Sequence, residues 1–243
     1  MIENPACIRV EDLEVTYRVY RETSLRLFDL VRSGFSGRKF EPVHAVQGVT
    51  FTIYEGESVG IVGSNGSGKS SLLRAMAGLM PPTSGQVLAS SEPMLLGVSS
   101  VLRGSMSGRR NIEIGLMALG FSGDRLSNLI QEVEDFAELG VAISRPMNTY
   151  SSGMRARVRF SIASVVRPRI LMIDEALAVG DRKFKSKSYS RLDDLLETAG
   201  AVVLVSHSRK EVERVCDRAI WIEQGVIMAD GPTSEVLDEY ESL

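Results

Sequence analysis

This sequence of 243 residues contains few cysteines and histidines, and it has only a small excess of charge of one sign. The two cysteines, Cys7 and Cys216, lie far apart, and neither belongs to a C-x-x-C or metal-binding pattern. We therefore expect two unbonded thiols in a reduced compartment, with Cys216 in the core. The 28 basic and 31 acidic residues leave a formal net charge of -3. This balance gives no electrostatic basis for binding nucleic acid.

Long apolar runs are also missing. No run approaches the roughly 20 residues that span a bilayer. Residues 1–5 lack the charged and then apolar pattern of a signal peptide. There is no internal repeat and no low-complexity linker. We therefore expect a cytosolic α/β protein, associated with a membrane at most through a partner. Its hydrophobic content of 44% suits one core and a smaller subdomain.

The most informative stretch is a loop that fits the pattern G-x-x-x-x-G-K-[ST], which we call the phosphate loop. It consists of Gly63, Ser64, Asn65, Gly66, Ser67, Gly68, Lys69 and Ser70. The apolar run before it predicts a buried strand over Ser58–Val62, and the run after it predicts a helix over Ser71–Ala77. Loops of this kind bind phosphate through backbone N–H groups and the N-terminus of the helix, which includes Ser71. A Gly/Ser-rich surface turn is the alternative, and the flanking strand and helix disfavour it.

Lys69 would then reach the β- and γ-phosphates of a nucleotide, and Ser70 would supply a hydroxyl to Mg²⁺. Two further apolar runs, Ile170–Ile173 and Ala201–Ser206, predict central parallel strands. Asp174 and Glu175 follow the first run, and His207 follows the second. Because ligands gather at the carboxyl ends of parallel strands, we expect these side chains and the phosphate loop to share one crevice.

Each of these side chains has a role that its chemistry suits. Asp174 can hold Mg²⁺ opposite Ser70. Glu175 is the better candidate for the base that orients the attacking water, because adjacent strand-end residues point in different directions. His207 can contact the γ-phosphate and respond to its loss. A structural role is the alternative for this histidine.

The remaining chain supplies strands and a helical segment. Helical spacing of apolar residues from about residue 105 to 166 predicts an inserted helical subdomain, while alternation predicts half-exposed strands near the N-terminus. A turn over Pro81–Gly85 precedes a further strand. The other predicted elements are strands at Cys7–Val15, Val49–Ile53 and Gln86–Ala89, a hairpin of Ala219–Glu223 with Val226–Ala229, and a last helix from Ser234.

An unusual basic segment separates the first two strands. From Arg18 to Pro42 it carries six Lys or Arg residues against three acidic ones. Its centre has Leu25, Phe28 and Val31 at near-helical spacing. This pattern fits a short amphipathic helix that lies on lipid headgroups or on a membrane partner, and it equally fits a solvated surface excursion.

One more motif points to a family. Tyr150–Met154, which we call the signature loop, opens a predicted helix shortly before the Asp174 strand. The phosphate loop, signature loop, Asp-Glu pair and strand-end histidine, in this order, resemble the ATP-binding-cassette (ABC) ATPases over essentially the whole chain. The family's usual signature is Leu-Ser-Gly-Gly-Gln. Here Ser151 and Gly153 keep the two positions that meet phosphate, while Ser152 and Met154 differ from the usual form.

The resemblance implies a P-loop NTPase with a RecA-like core, an antiparallel β subdomain and an inserted α-helical subdomain. The core and β subdomain would span about 1–104 and 167–243, and the helical subdomain about 105–166. It also implies a homodimer in which the signature loop of one copy closes on the ATP held by the other. Residues 176–181 resemble the loop that couples the two sites.

The signature loop and residues 173–181 together are similar to those of bacterial exporters of lipid-linked polysaccharides, such as O-antigen, teichoic acid and cell-wall galactan. This implies an ATPase at the cytoplasmic face of the membrane that drives a separate transmembrane permease and reaches its glycan cargo only through it. We expect no appended glycan-recognition domain after the last helix. Another cargo, a cassette ATPase of translation or DNA repair, and a scaffold without turnover are the rival interpretations.

Two features depart from the family pattern or leave alternatives. Most members have a glutamine after the strand that follows the phosphate-loop helix, but residues 94–100 contain none. We therefore assign no glutamine ligand. The aromatic ring that stacks on adenine would be Tyr17, which has the expected place after the first strand, or else His44. An ordinary packing role is the alternative for each.

Overall fold

The computed structural model describes residues 4–20, 40–96, 102–174 and 182–242. Nine strands fall in these ranges: β1 Ala6–Tyr20, β2 Phe40–Tyr54, β3 Ser58–Val62, β4 Ser84–Ala89, β5 Met94–Leu96, β6 Ile170–Ile173, β7 Ala201–Val205, β8 Arg218–Glu223 and β9 Val226–Pro232. The α-helices are α1 Lys69–Met76, α2 Gly108–Ala118, α3 Gly123–Ala137, α4 Ser152–Ala163, α5 Arg182–Thr198, α6 Arg209–Val215 and α7 Thr233–Glu241. Two 3₁₀ turns, Gly140–Ser144 and Met147–Thr149, connect α3 to α4.

The larger sheet has the strand order β5-β6-β7-β3-β8-β9. Its neighbours are parallel except for the antiparallel pair β8 and β9. Strands β6 and β7 are buried along their whole length. This is expected for parallel strands covered on both faces, and it explains why these segments are apolar without alternation. The mixed α/β architecture predicted from the sequence is confirmed.

A smaller antiparallel sheet of order β2-β1-β4 packs over one face of the larger sheet. Helix α1 lies between the two sheets, and its Leu72 and Leu73 are fully buried. On the opposite face, helices α5, α6 and α7 pack through residues such as Leu192, Val212 and Leu237. The phosphate-loop helix is therefore held between two layers of strands, which fixes the direction of its N-terminus.

Helices α2, α3 and α4 form a separate apolar cluster with the 3₁₀ turns. The predicted helical faces are confirmed, since Ile112, Leu116 and Val133 are fully buried in this cluster. Ser107 begins α2 by accepting a hydrogen bond from the Arg110 N–H at 3.2 Å. Helix α3 ends where the backbone of Glu138 becomes left-handed, with φ of 50°.

The strand boundaries show where sequence patterns fall short. Strands β1 and β2 pair from Ala6 with Tyr54 out to Tyr20 with Phe40, so both ends of the basic segment are strand rather than excursion. The amphipathic helix predicted around Phe28 lies outside the described residues. Strand β4 begins at Ser84, within the segment predicted to be a turn. The last helix begins at Thr233, one residue before the predicted start at Ser234.

Both cysteines are buried and unbonded. The unbonded thiols and the burial of Cys216 were predicted, and the burial of Cys7 was not. Burial raises the pKa of the Cys216 thiol to about 12. The thiol therefore stays protonated at neutral pH and packs as a small apolar side chain.

Candidate functional site

The phosphate loop runs from the end of β3 to the first residue of α1. Lys69 is buried, and its Nζ donates hydrogen bonds to the carbonyl oxygens of Gly63 at 2.8 Å and Ser64 at 2.7 Å. No side chain caps the N-terminus of α1, because the preceding residue is Gly68. The first N–H groups of α1 are thus left for an anionic ligand, and the loop wraps around the place where they point.

Two observations indicate that this loop fits phosphate. Gly68 has φ of 108°, and a Cβ built on it would lie 2.0 Å from the carbonyl oxygen of Ala45. Only glycine therefore allows this close approach of backbones. The buried hydroxyl of Ser67 has no hydrogen-bond partner within the part of the chain that the structure describes. Ser64, Asn65, Gly66 and Ser70 are exposed.

The turn between β8 and β9 braces the phosphate loop from the side. The Glu223 carboxylate accepts hydrogen bonds from the Ser64 N–H at 3.2 Å and from the Ser64 hydroxyl. The Gly225 N–H donates to the Ser67 carbonyl at 2.9 Å. The backbone N–H of Gln47, in β2, donates a hydrogen bond to the Gly225 carbonyl at 2.8 Å and so holds this turn. Sequence reasoning missed this brace.

The pKa of Glu223 is lowered from its ordinary value. The largest cause is the hydrogen bond from the Ser64 hydroxyl, with smaller contributions from the Ser64 N–H and the charge of Lys69. Glu223 is thus an ionised acceptor that restrains the phosphate loop. The available signal was a carboxylate at the end of an apolar strand, the same signal that marks Asp174.

Three neighbouring parallel strands, β6, β7 and β3, end at the edge of the sheet where the phosphate loop lies. Strand β7 lies between β3 and β6, so Gly63, Asp174 and His207 follow adjacent strands at one edge of the sheet. Asp174 is half-buried and His207 is exposed. The predicted parallel strands are confirmed. Glu175 and residues 176–181 lie outside the described residues, so their roles stay predictions.

The turn that carries His207 is fixed by its neighbours. The buried Ser206 hydroxyl donates to Glu211 at 2.8 Å and accepts from the Ser208 N–H at 3.0 Å. These bonds hold the chain on both sides of His207 at the start of α6. Ser206 is a second residue that sequence reasoning missed, because a hydroxyl at a strand end resembles any turn residue.

Tyr17 and His44 point to opposite faces of the β1–β2 pair, because they belong to consecutive cross-strand pairs. The Tyr17 hydroxyl lies 3.1 Å from the Ser71 hydroxyl, at the first turn of α1. His44 Nδ1 lies 3.1 Å from the Thr16 hydroxyl instead. Of the two aromatic candidates, Tyr17 is therefore the one next to the phosphate-loop helix.

The signature loop begins α4. The Ser151 hydroxyl caps this helix by accepting from the Met154 N–H at 3.2 Å. Arg155 Nη1 donates to the Tyr150 carbonyl at 2.5 Å, and the Tyr150 hydroxyl donates to Ala142 O at 2.6 Å. Among the described residues, no hydrogen bond joins Ser151 or Gly153 to the phosphate loop of the same chain.

This combination of fold and site defines a P-loop ATPase of the cassette type, and comparison with known proteins gives the family. The ABC transporter family model matches residues 46–178. The chain belongs to the ABC transporter family. The predictions of an ABC-type ATP-binding domain and of an ATPase are confirmed.

Among its relatives are proteins named teichoic acids export ATP-binding protein TagH. The protein of Staphylococcus saprophyticus is 36% identical over 236 residues, which are 97% of this chain and 88% of that protein. The protein of Enterococcus faecalis is 40% identical over 199 residues, but this chain covers only 44% of its length. The predicted resemblance to exporter ATPases of polysaccharides and teichoic acids is confirmed.

Solved structures agree on the fold. The ATP-binding cassette MJ0796, as a dimer in a post-hydrolysis state with ADP and Pi, matches with a TM-score of 0.68 at 22% identity. That match covers 93% of this chain and 98% of the other. An ATP-binding subunit of an ABC transporter matches with a TM-score of 0.69 at 20% identity. Within the described ranges, no helix is long and apolar enough to cross a bilayer.

The Glu223 brace gives a first testable prediction. Glu223→Gln is expected to raise the KM for ATP about threefold, because charge-assisted hydrogen bonds to Ser64 become weaker neutral ones at a solvent-exposed site. Titration of ATP turnover at neutral pH measures this. Ser64→Ala serves as the matched variant, and the double variant should add little to either single change. Additive effects would show that the two residues act independently.

The same contact has a pH dependence. Because the pKa of Glu223 is lowered in the folded protein, its contribution to stability is present above the ordinary carboxyl pKa of about 4.3 and is lost as the pH falls through the lowered value. The difference in melting temperature between the parent protein and Glu223→Gln should therefore be constant near neutral pH and disappear in acid.

Proposed function

We propose that this chain is the ATP-hydrolysing subunit of a bacterial exporter of lipid-linked polysaccharide. The observation that carries the proposal is the convergence of the phosphate loop, Asp174 and His207 at the ends of three adjacent parallel strands. Membership of the ABC transporter family and relatives named for teichoic acid export support it.

In the proposed site, backbone N–H groups of the phosphate loop and of the first turn of α1 bind the phosphates. The Lys69 ammonium exchanges its two carbonyl acceptors for β- and γ-phosphate oxygens. Ser71 continues the row of donors, and the ring of Tyr17 stacks beside the adenine. Phosphate oxygens are stronger acceptors than neutral carbonyls, which favours this exchange when ATP arrives.

The proposed metal ligands are the hydroxyl of Ser70 and the carboxylate of Asp174. Both are hard oxygen donors of the type that Mg²⁺ prefers, and the strands that precede them, β3 and β6, end at the same edge of the sheet on either side of β7. Mg²⁺ bound with ATP would neutralise the charge that develops on the phosphate oxygens. Glu175 would orient the attacking water and accept its proton, and His207 would donate to the γ-phosphate.

The second half of each site would come from another copy of the chain. Ser151 and Gly153 of the signature loop lie at the N-terminus of α4, where N–H groups and the helix dipole suit a γ-phosphate. Two copies would close around two ATP molecules and reopen after hydrolysis, and this conformational change would drive transport. We place the moving helical subdomain at about 105–166, and the core with the β subdomain at about 1–104 and 167–243.

The partners follow from the same proposal. The dimer would work at the cytoplasmic face of the plasma membrane, bound peripherally to a separate transmembrane permease that holds the glycan. The cargo would be of the O-antigen, teichoic acid or cell-wall galactan type. The formal net charge of -3 gives no support to the rival role in translation or DNA repair.

A pull-down from bacterial membranes tests this proposal. Tagged Glu175→Gln protein with Mg·ATP is expected to recover a multi-span membrane protein together with a polyprenyl-linked glycan, identified by mass spectrometry. Glu197→Gln, an exposed carboxylate on α5, is the control that should not enrich the complex with ATP. Recovery of ribosomes or DNA-repair proteins without a membrane protein would overturn the proposal.

A further inference from the structure

Helices α3, α4 and α5 meet at one cluster of aromatic rings. Phe136 of α3 and Phe160 of α4 have ring centroids 6.0 Å apart in a stacked arrangement. Phe184 of α5 meets both rings edge-on, at 5.7 Å from Phe136 and 6.2 Å from Phe160. Such pairs contribute more than their buried area alone. The cluster joins the helices of the signature loop to the helix that follows Asp174 and residues 175–181.

Two cations of α5 reinforce this junction. Lys187 Nζ donates to the Phe136 carbonyl at 3.3 Å and to the Glu138 carboxylate at 2.9 Å, and it lies 4.6 Å from the Phe136 ring centroid. The lysine thus occupies the C-terminal end of α3, where exposed carbonyls and the negative end of the helix dipole favour a cation.

Arg191 contacts two different helices one turn further along α5. Its Nε donates to the Ser164 carbonyl at 3.1 Å, at the C-cap of α4. Its Nη2 donates to the Glu132 carboxylate of α3 at 2.6 Å. Only the planar fork of arginine can reach both acceptors with fixed geometry. Lys187 and Arg191, which we call the α5 clamp, therefore bind the C-terminal ends of both α3 and α4.

The position of the clamp connects it to the reaction. Helix α4 begins at the signature loop and ends at the clamp, and α5 begins directly after the segment that carries Glu175. A shift of α4 relative to α5 would therefore displace the signature loop relative to the core of its own copy, and so relative to the ATP that the other copy of the proposed dimer holds. A displacement of about 1 Å in such a site can lower a rate by two orders of magnitude.

We propose that Arg191, assisted by Lys187, is a positioning residue that holds the signature-loop helix α4 in place against α5 of the core. This inference rests on the proposed ATPase function. The clamp is the contact through which α3 and α4 of the helical subdomain stay joined to α5 of the core while that subdomain moves. It contacts no part of the phosphate loop among the described residues, so its loss affects closure and turnover and leaves the first binding of ATP unchanged.

Steady-state ATP hydrolysis by Arg191→Ala tests the inference. We expect kcat to fall about tenfold while the KM for ATP changes less than about twofold. Dimer formation with ATP, measured by light scattering in the Glu175→Gln background, should need a higher protein concentration. Arg191→Lys keeps the charge but cannot reach both acceptors, so it should recover part of kcat.

Arg214→Ala is the matched control. Arg214 of α6 pairs with Asp193 of the same helix α5 at 2.8 Å, on the side away from α3 and α4; its side chain is 47% exposed, against 29% for Arg191. A purely structural role predicts that the Arg191 and Arg214 variants lose similar melting temperature and keep kcat. A parent-like kcat for Arg191→Ala would overturn the inference. If that variant does not fold, the same measurements of kcat and of the KM for ATP are made on Lys187→Ala, and a parent-like kcat there would overturn the inference.

Failure of the two proposals can be told apart. A parent protein that binds ATP without hydrolysing it would contradict the ATPase function itself. An active parent with unchanged Arg191 and Lys187 variants would contradict only the clamp.

Discussion

Glu175→Gln is expected to lower ATP turnover at least about 100-fold while ATP stays bound, because a positioned general base contributes about 10²–10⁴-fold to such a step. Glutamine keeps the size of the side chain and removes its ability to accept the proton. Since the γ-phosphate then persists, the protein should accumulate as an ATP-bound dimer. Single-turnover hydrolysis and light scattering with ATP measure the two effects.

Lys69→Ala is the informative comparison for this first prediction. It removes the ammonium that is held by Gly63 and Ser64 and is available to phosphate. Turnover should again be lost, but without an ATP-bound dimer, because binding of the β- and γ-phosphates is itself weakened. Glu197→Gln should behave as the parent does. Hydrolysis at the parent rate by Glu175→Gln would show that the base is another group.

Gly68→Ala is expected to lower the free energy of unfolding by about 3 kcal/mol and to abolish ATP binding. The new methyl group meets the carbonyl oxygen of Ala45 at 2.0 Å, and the backbone φ of 108° is itself unfavourable for alanine. The two costs are each about 1–3 kcal/mol. Thermal unfolding should show a decrease of roughly 6–12 °C, at 2–4 °C for each kcal/mol in a chain of this size.

Gly66→Ala separates the two causes within the same loop. Gly66 has φ of 85°, but a Cβ there meets no atom within 4 Å. Only the conformational cost of about 1 kcal/mol applies, and ATP binding should persist. Equal losses in the two variants would mean that the close approach to Ala45 contributes nothing and that the left-handed backbone alone decides.

The sequence was most informative where local chemistry fixes local structure. The phosphate loop needs glycines between an apolar strand and a helix, so β3, Lys69 and α1 could be located from spacing alone. The apolar runs of β6 and β7 likewise predicted which side chains stand at their ends. These features depend on neighbours in the chain or on the general geometry of parallel sheets.

Contacts between distant residues could not be predicted in this way. Glu223 meets Ser64 across most of the chain, and the apolar run of β8 gives no sign of that partner. Lys187 and Arg191 resemble the solvated face of a charged helix, although they bind the ends of α3 and α4. The outer parts of β1 and β2 are largely exposed, so no apolar pattern marked their length.

The central place of β3 in the larger sheet has a consequence for the order in which the protein is made. Its two neighbours are β7 and β8, with Ser58 paired to Val202 and Val59 paired to Arg218. A nascent chain that has emerged as far as the signature loop contains the whole phosphate-loop motif but neither of these flanking strands. Pairing over such separations forms late and slowly. The growing polypeptide therefore cannot complete the sheet beneath its nucleotide site until the residues of β8, up to Glu223, have left the ribosome.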